Sequence, residues 1–295
     1  MQIKYIYYSK RDYNINTIYY NKMSKHYYLN IFSTRSFKEN PFLTIYRAVY
    51  LFFIDLFKVK KRFKIKHENI NFQFLYLPNL SKRSGGRGLY LYREKIEDLM
   101  EFGHKFIEED NHCIDGGANQ GIFSLSFASV VKERGKILAV EPFEYCINSL
   151  KNNASVNNFS NIFIEKKVLF SKSGIEKRLD YTNGVGSASI TRKFGNKKFI
   201  NVKTVTIDDL IKIYNLKPNF IKLDIEGAEF DALKGSSETL STYKPQICLE
   251  CTFEKDFFKI NNFLKIYNYQ PFVFINKKLQ KLNTFKPYGN VFFLK

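Results

Sequence analysis

Residues 112–126 read HCIDGGANQGIFSLS, in which a short apolar strand pattern runs into an acid, glycines and the start of a helix. Ligands of open α/β sheets bind beyond the carboxyl ends of the strands, where turns of this kind lie. The spacing G-G-A-N-Q-G differs from the G-x-G-x-x-G pattern that holds a pyrophosphate. Because Asp115 repels phosphate and attracts cations, the turn favours a positively charged ligand.

A second acid narrows the choice of ligand. Glu141 ends the next strand pattern, AVEP, 20 residues after Gly121, where an acid can accept hydrogen bonds from both hydroxyls of a ribose. S-adenosylmethionine combines a ribose with an ammonium and a sulfonium and has no phosphate, so it fits both acids. Gly116, Gly117 and Gly121 are predicted to let the backbone approach this ligand closely. The alternative is a structural turn in which Asp115 only caps the following helix.

Strand and helix patterns alternate from residue 93 to residue 295, which predicts a parallel sheet with helices on both faces. NIFIEKKVLF is predicted as one strand, and EFDALKGSSETL as one helix. Only about a dozen residues separate the last two strand patterns, PFVFIN and NVFFLK, too few for a crossover helix, so the last strand is predicted to run antiparallel. The predicted fold class is therefore an α/β, Rossmann-like sheet of the class I methyltransferase type, mostly parallel with a C-terminal antiparallel hairpin.

Three segments within residues 93–275 resemble the signatures of the FkbM-family methyltransferases: CIDGGANQGIFSLSFA, GKILAVEPFEYCINSLKNNASVNNFSNI and FIKLDIEGAEFDALKG. Pro245 and Glu250 of PQICLE continue the match, whereas Val168 and Leu169 are bulkier than the residues usual in the third strand. The resemblance implies a class I fold, S-adenosylmethionine and O-methylation of a sugar, glycan or other small hydroxyl compound. The cofactor-binding residues that it implies are Asp115, Gly116, Gly117, Asn119, Gly121, Glu141 and Pro142.

The segment KLDIEGAE holds the candidates for catalysis. Methyl transfer to a hydroxyl requires removal of its proton, and Asp224 and Glu226 are the predicted catalytic residues. The same two acids can instead hold a divalent cation that orients a diol, although no third ligand is evident from the sequence. Glu229 is predicted as an acid in the first turn of a helix. The polar stretch 171–206, with one or two hairpins, is predicted to cover the acceptor.

Two other functions are compatible with the sequence. A net charge of +19 suggests a nucleic-acid methyltransferase, but the N/D-P-P-Y/F motif of the amino-methylating enzymes of that class is absent after the fourth strand. A non-catalytic scaffold that keeps the fold is the second alternative, and the intact Asp115, Glu141 and Asp224 argue against it.

Residues 1–92 are predicted as a basic, aromatic-rich N-terminal region, and 93–295 as the methyltransferase domain. Residues 1–100 carry roughly 19 basic and 7 acidic side chains, and SKRSGGRG (81–88) is predicted as a flexible break. PFLTIYRAVYLFFIDLFK (41–58) is predicted as a helix with one narrow polar stripe, followed by the cationic KVKKRFKIK. Three placements of this helix are compatible with the sequence. It can lie peripherally on an anionic membrane through 41–66, pack on its own catalytic domain, or form a homodimer contact.

The four cysteines are predicted to be buried free thiols, because Cys248 and Cys251 lie three residues apart in a strand pattern and point to opposite faces. Reduced thiols and the lack of a signal-peptide pattern predict a cytoplasmic protein, peripheral at the membrane if the helix binds lipid. The four histidines have no zinc-ligand spacing.

Overall fold

The computed structural model describes residues 31–81, 85–96, 99–100, 105–192, 195, 198–251, 253–275, 278–285 and 290–295. Residues 1–30, the middle of the predicted break at 81–88, and residues 97–98 and 101–104 lie outside this description.

The strands, in chain order, are β1 (Lys61–His67), β2 (Ile70–Tyr76), β3 (His112–Gly116), β4 (Lys136–Val140), β5 (Ile162–Glu165), β6 (Val168–Leu169), β7 (Glu176–Asp180), β8 (Phe199–Val205), β9 (Pro218–Leu223), β10 (Gln246–Glu250), β11 (Gln270–Ile275), β12 (Lys278–Lys281) and β13 (Asn290–Leu294). The α-helices are α1 (Arg35–Glu39), α2 (Pro41–Leu56), α3 (Pro78–Ser81), α4 (Gly86–Tyr92), α5 (Ile122–Val131), α6 (Glu144–Val156), α7 (Ile207–Tyr214), α8 (Glu229–Lys234), α9 (Ser237–Thr242) and α10 (Glu254–Lys265). Short 3₁₀ helices span Ile31–Ser33, Arg93–Ile96 and Val185–Ser187.

The central sheet has the order β12-β11-β13-β10-β9-β3-β4-β5. β10, β9, β3, β4 and β5 are parallel to one another, and β13 is antiparallel to both β10 and β11. This confirms the predicted class I methyltransferase fold, with its mostly parallel sheet and reversed final strand. The edge strand β12 adds a further antiparallel pair with β11.

Two predicted elements are each divided in the structure. NIFIEKKVLF forms β5, which pairs with β4, and β6, which pairs with β8 in a separate sheet of order β6-β8-β7. The predicted hairpin in 171–206 is present as the antiparallel pair β7–β8. EFDALKGSSETL forms α8 and α9, because the chain turns at Gly235, where a Cβ atom would lie 2.4 Å from the carbonyl oxygen of Phe170.

Alternate residues of the central strands enter two hydrophobic clusters, as a sheet covered on both faces requires. In β3, Cys113 belongs to the cluster that contains α5 and the N-terminal elements, whereas Ile114 belongs to the cluster that contains α7 and α10. All four cysteines are free and buried, which confirms the prediction for them.

The N-terminal elements share the first of these clusters with the sheet. β1 and β2 form a hairpin that sequence analysis did not identify, and Phe63, Ile65, Phe72 and Phe74 are buried on its inner side. Asn153 of α6 and Asn157, the residue that follows this helix, accept hydrogen bonds from backbone amides of β2 at 2.6 Å. Side chains at the end of α6 therefore satisfy this edge of the hairpin. The domain boundary near residue 92 stays a prediction.

The predicted flexible break is wrong in its second half. α4 begins at Gly86, and Gly86 and Gly88 are buried within it. The predicted helix at 41–58 is confirmed as α2, with Pro41 in its first turn. None of the helices within the described ranges is both long enough and apolar enough to cross a bilayer.

Candidate active site

The carboxyl ends of β3, β4 and β9 lie side by side at one edge of the sheet. Asp115 is the second-to-last residue of β3, Glu141 follows β4, and Asp224 follows β9. The amide of Asp224 donates to the carbonyl of Gly116 at 3.1 Å, which ties the start of the 224–229 loop to the glycine turn. The predicted cofactor acids and the first predicted catalytic acid therefore come together at this edge.

Lys222 connects two of these acids. It is paired in register with Asp115 across β9 and β3, and its Nζ atom lies 3.4 Å from Asp115 Oδ1 and 3.7 Å from Asp224 Oδ2. The Asp115 side chain is 0% exposed, the Lys222 side chain 3% and the Asp224 side chain 40%. The charges thus form a line from the core to the surface.

Two residues of α5 complete the surroundings of this line of charges. Ser124 Oγ donates to Asp115 Oδ2 at 2.6 Å, and Lys222 Nζ lies 4.6 Å from the centre of the Phe123 ring, a cation–π contact. Sequence reasoning assigned no role to Lys222. The signal was a lysine inside the apolar strand pattern NFIKLDI, since a lysine is rarely buried unless it is paired.

Glu141 is buried and held by backbone amides on both of its oxygens. Asn119 N donates to Oε2 at 2.8 Å, and Phe143 N donates to Oε1 at 2.9 Å. Burial raises the pKa of Glu141 to about 7, although these two hydrogen bonds act in the opposite direction. Pro142 is half-buried and lies in the chain between Glu141 and Phe143, whose amide binds the Glu141 carboxylate.

The glycines of the turn make close contacts with protein atoms. A Cβ atom on Gly117, whose φ is +76°, would lie 2.0 Å from the carbonyl oxygen of Asp224. At Gly121 it would lie 2.1 Å from Leu150, and at Gly116 2.7 Å from Leu169. The added atom meets backbone at Gly117 and the ends of leucine side chains at Gly121 and Gly116, so the packing of the sheet edge requires a glycine at position 117. The predicted approach of the glycines to a ligand stays a prediction.

The 224–229 loop is shaped by Glu229, whose two oxygens accept hydrogen bonds from the amides of Ile225 at 3.0 Å and Gly227 at 2.9 Å. Burial raises its pKa to about 7. Glu226 adopts a left-handed conformation with φ of +52°, and its Oε2 lies 3.4 Å from Arg192 Nη1. Glu229 thus supports the loop, and Glu226 faces a cation from another segment.

The segment between β7 and β8 contacts this edge through Tyr181 and Ser189. The ring of Tyr181 packs edge-on against Phe143, next to Glu141, at 5.4 Å between centroids. Ser189 Oγ donates to the carbonyl of Glu226 at 2.7 Å, close to Arg192. Ser189 and Arg192 thus bring this segment to the 224–229 loop.

The family model of the methyltransferase FkbM domain matches residues 115–271, more than half of the chain. The chain belongs to the FkbM methyltransferase family. The match begins at Asp115 and includes Glu141, Asp224 and Glu226, so it covers the sheet edge described above.

Two methyltransferases from other organisms are similar to this chain. Methyltransferase sdnD from Sordaria araneosa is 28% identical over 180 residues, which cover 50% of this chain and 69% of the relative. Hexuronic acid methyltransferase AglP from Haloferax volcanii is 26% identical over 147 residues, which cover 50% of this chain and 58% of the relative. The chain therefore matches little more than half the length of AglP.

A crystal structure of methyltransferase FkbM from Methylobacillus flagellatus KT is also similar to this chain. The sequence identity is 18% and the TM-score is 0.45, and the match covers 73% of this chain and 57% of the other.

A third acid, Glu250, lies near the two predicted catalytic residues of this FkbM methyltransferase. Asp224, Glu226 and Glu250 of β10 have oxygen atoms within 4.8 Å of one another. Sequence analysis identified no third ligand for a divalent cation, because Glu250 belongs to another strand and approaches the loop only in the folded sheet.

Proposed function

We propose that this FkbM methyltransferase transfers a methyl group from S-adenosylmethionine to a hydroxyl group of a sugar, glycan or other small compound. The observation that carries the proposal is the hydrogen bonding of the glycine turn. The amides of Gly117 and Ala118 donate to the carbonyl of Val140 at 3.0 and 3.1 Å, and that of Asn119 donates to Glu141. Since these three amides already have acceptors, they are not free to bind a pyrophosphate in the way of dinucleotide sites.

The side chains around the turn fit a cationic cofactor that contains a ribose. Asp115 Oδ1 is buried and accepts no hydrogen bond from the described residues, although Lys222 lies near it. Glu141 is fixed by two amides and, as a carboxylate, has further lone pairs that can accept ribose hydroxyls. The bound cofactor would supply an electrophilic methyl group on a sulfonium, which leaves as a neutral thioether and needs no acid.

Asp224 is the preferred general base of the proposed reaction. Its carboxylate is partly exposed at the sheet edge, where an acceptor hydroxyl can reach it. Glu226 is less suited because it faces Arg192, and Glu229 because both of its oxygens bind backbone amides. The contact between Glu226 and Arg192 joins the 224–229 loop to the segment at 189–192, and this segment would lie beside the bound acceptor.

The name of one relative indicates which acceptors to test first. AglP is named for a hexuronic acid, which makes sugar acids the first acceptors to test, although the chain matches only 58% of its length. The contacts of Tyr181 and Ser189 with the sheet edge support the segment between β7 and β8 as the wall that selects the acceptor.

The test combines binding with turnover. Calorimetry should detect S-adenosylmethionine binding to the full chain, and Glu141→Ala should weaken it by roughly 1.5–3 kcal/mol, the usual loss for a charged hydrogen bond. Methyl transfer from labelled S-adenosylmethionine is then measured on hexuronic acids, neutral hexoses and short oligonucleotides. No binding, or transfer to oligonucleotides alone, would refute the proposal.

A further inference from the structure

α2 lies on the protein with its polar stripe facing inward. Thr44 is buried and its Oγ1 donates to the carbonyl of Asn40 at 2.9 Å. Arg47 Nη1 donates to the carbonyl of Leu91 at 3.2 Å. Asp55 accepts a hydrogen bond from Tyr76 at 2.8 Å and pairs with Arg87. The polar groups that would normally face water are therefore satisfied inside the protein.

The opposite side of α2 exposes large apolar side chains. Phe42 is 87% exposed and Phe57, which ends the helix, 68%. Leu43 is also exposed, next to Phe42. Six further exposed apolar residues recur at intervals of three or four positions and so share one face of the helix; they are Ile45, Tyr46, Val49, Phe52, Phe53 and Leu56. This is the reverse of the usual surface helix, whose apolar side packs on the core.

A basic surface adjoins the end of this apolar face. Lys58, Val59 and Lys60 are exposed and follow Phe57 directly. Arg62, Lys64 and Lys66 are exposed on the outer side of β1, because alternate residues of the strand point away from the core. Residues 58–66 contain no acid.

We propose that α2 and β1 form a docking face for the surface of an anionic lipid membrane. The docking face consists of the exposed apolar residues of α2 with Phe57 and Val59, and of the exposed cations at positions 58, 60, 62, 64 and 66. Apolar side chains enter the boundary between headgroups and acyl chains, while the cations bind acidic headgroups. The helix lies in the plane of the membrane and does not cross it.

Charge favours this occupant over a second copy of the chain. A two-fold dimer brings the same patch of both copies together, so the basic surfaces of two docking faces would repel each other. A membrane with acidic lipids complements both halves of the face at once, and large apolar patches of this kind mark interaction sites.

The absence of tryptophan from the sequence allows a direct test with the full chain. Phe53→Trp places one fluorophore on the docking face. Phe258→Trp is the matched control, because Phe258 is 49% exposed and Phe53 48%, while α10 packs on the opposite face of the sheet. With vesicles that contain phosphatidylglycerol, the emission of Phe53→Trp should shift to shorter wavelength and be quenched by brominated acyl chains. The emission of Phe258→Trp should stay unchanged.

Charge dependence is tested on the same Phe53→Trp chain. Replacing Lys58, Lys60 and Lys64 by serine should weaken vesicle binding on the order of 100-fold, since each cation near an anionic surface contributes about fivefold. Lys265→Ser with Ile266→Ser, which removes an exposed cation and an exposed apolar residue of the other face, should bind like the parent chain.

Four results would overturn the proposal. An equal shift with neutral phosphatidylcholine vesicles would show that acidic lipid is not recognised. An equal shift in Phe258→Trp would mean that the positively charged protein binds vesicles without orientation. Emission that is already at short wavelength without vesicles, or no shift at all, would mean that the protein itself or a second copy covers the face, or that lipid is not its partner.

Discussion

Lys222 is the residue on which the acidic edge of the sheet depends. Its charge lies 3.4 Å from one carboxylate oxygen and 3.7 Å from another, and Asp115 is fully buried. A buried carboxylate that loses its cation is costly, because neither water nor a counter-ion then compensates the charge. The effect of a change at Asp115 therefore includes the cost of leaving Lys222 buried without this carboxylate, in addition to any loss of cofactor binding.

Lys222→Met should lower the free energy of unfolding by about 3–5 kcal/mol, the usual cost of breaking a buried ion pair from one side. Asp115→Asn in the same chain should recover part of this loss, because the neutral amide needs no cation. Urea denaturation of the two single variants and the double variant measures the coupling. Strictly additive losses would contradict the pairing.

Asp224→Asn should lower the turnover of methyl transfer by roughly 10²–10⁴-fold, because the amide cannot accept the proton of the acceptor hydroxyl. The fold should remain, since Asp224 is partly exposed. Glu226→Gln should raise KM more than it lowers kcat, as expected for a group that positions the acceptor. The assay uses labelled S-adenosylmethionine at saturating acceptor.

Asp256→Asn, in the first turn of α10, is the control for these two variants and should behave like the wild type. Near-normal turnover of Asp224→Asn would remove this residue from the mechanism. Strong inhibition by EDTA would instead assign Asp224, Glu226 and Glu250 to a divalent cation.

At the scale of elements, the glycine turn between β3 and α5 and the 224–229 loop fit together through backbone atoms. Gly117 allows the turn to meet the carbonyl of Asp224, and the amide of Asp224 meets the carbonyl of Gly116. Because both sides of this contact are backbone atoms, neither can move aside to make room for a Cβ atom at position 117. The position of the acidic edge therefore depends on one missing Cβ atom.

Gly117→Ala should lower the free energy of unfolding by about 2–4 kcal/mol, combining the strain of a left-handed residue with that of overpacking. Gly174→Ala is a matched control: its φ is +78° against +76° for Gly117, but no atom lies within 4 Å of the added Cβ. It should cost only about 1 kcal/mol, the strain alone. Equal losses in thermal or urea unfolding would show that the contact with Asp224 is unimportant.

At the scale of the whole molecule, two buried carboxyl groups make stability depend on pH. Burial raises the pKa of Glu141 and of Glu229 to about 7, so between about pH 4.5 and 7 the folded chain binds protons that the unfolded chain releases. Their contribution to stability is complete below the unfolded pKa and is lost as the pH rises through 7.

Each of these carboxyl groups should reduce the free energy of unfolding by up to about 3 kcal/mol between pH 5 and pH 8. The double variant Glu141→Gln and Glu229→Gln should show a flatter dependence on pH over this range, because its amides do not titrate. Urea denaturation at the two pH values measures the change. An unchanged slope in the double variant would contradict the proposed effect of burial.

Much of the fold and part of the candidate site were predictable from the sequence because they depend on local patterns. Alternating strand and helix periodicity predicted the parallel sheet, and the short connection before the last strand predicted its reversal. The positions of Asp115, Glu141 and Asp224 at strand ends predicted that they meet, since carboxyl ends of parallel strands share one edge. The hairpin of β1 and β2 was not predicted, because the cations that alternate with the apolar residues of β1 indicate a basic surface as well as a strand.

Only the tertiary structure decided which groups pair across the molecule. Asp115 and Lys222 lie more than 100 residues apart in the sequence, and Glu226 meets Arg192 from a segment whose position no local pattern specifies. Periodicity divided α2 into a polar and an apolar side, but contacts with Leu91, Tyr76 and Arg87 decided that the polar side faces inward. The physical reason is that periodicity depends on near neighbours, whereas burial depends on partners that only folding brings together.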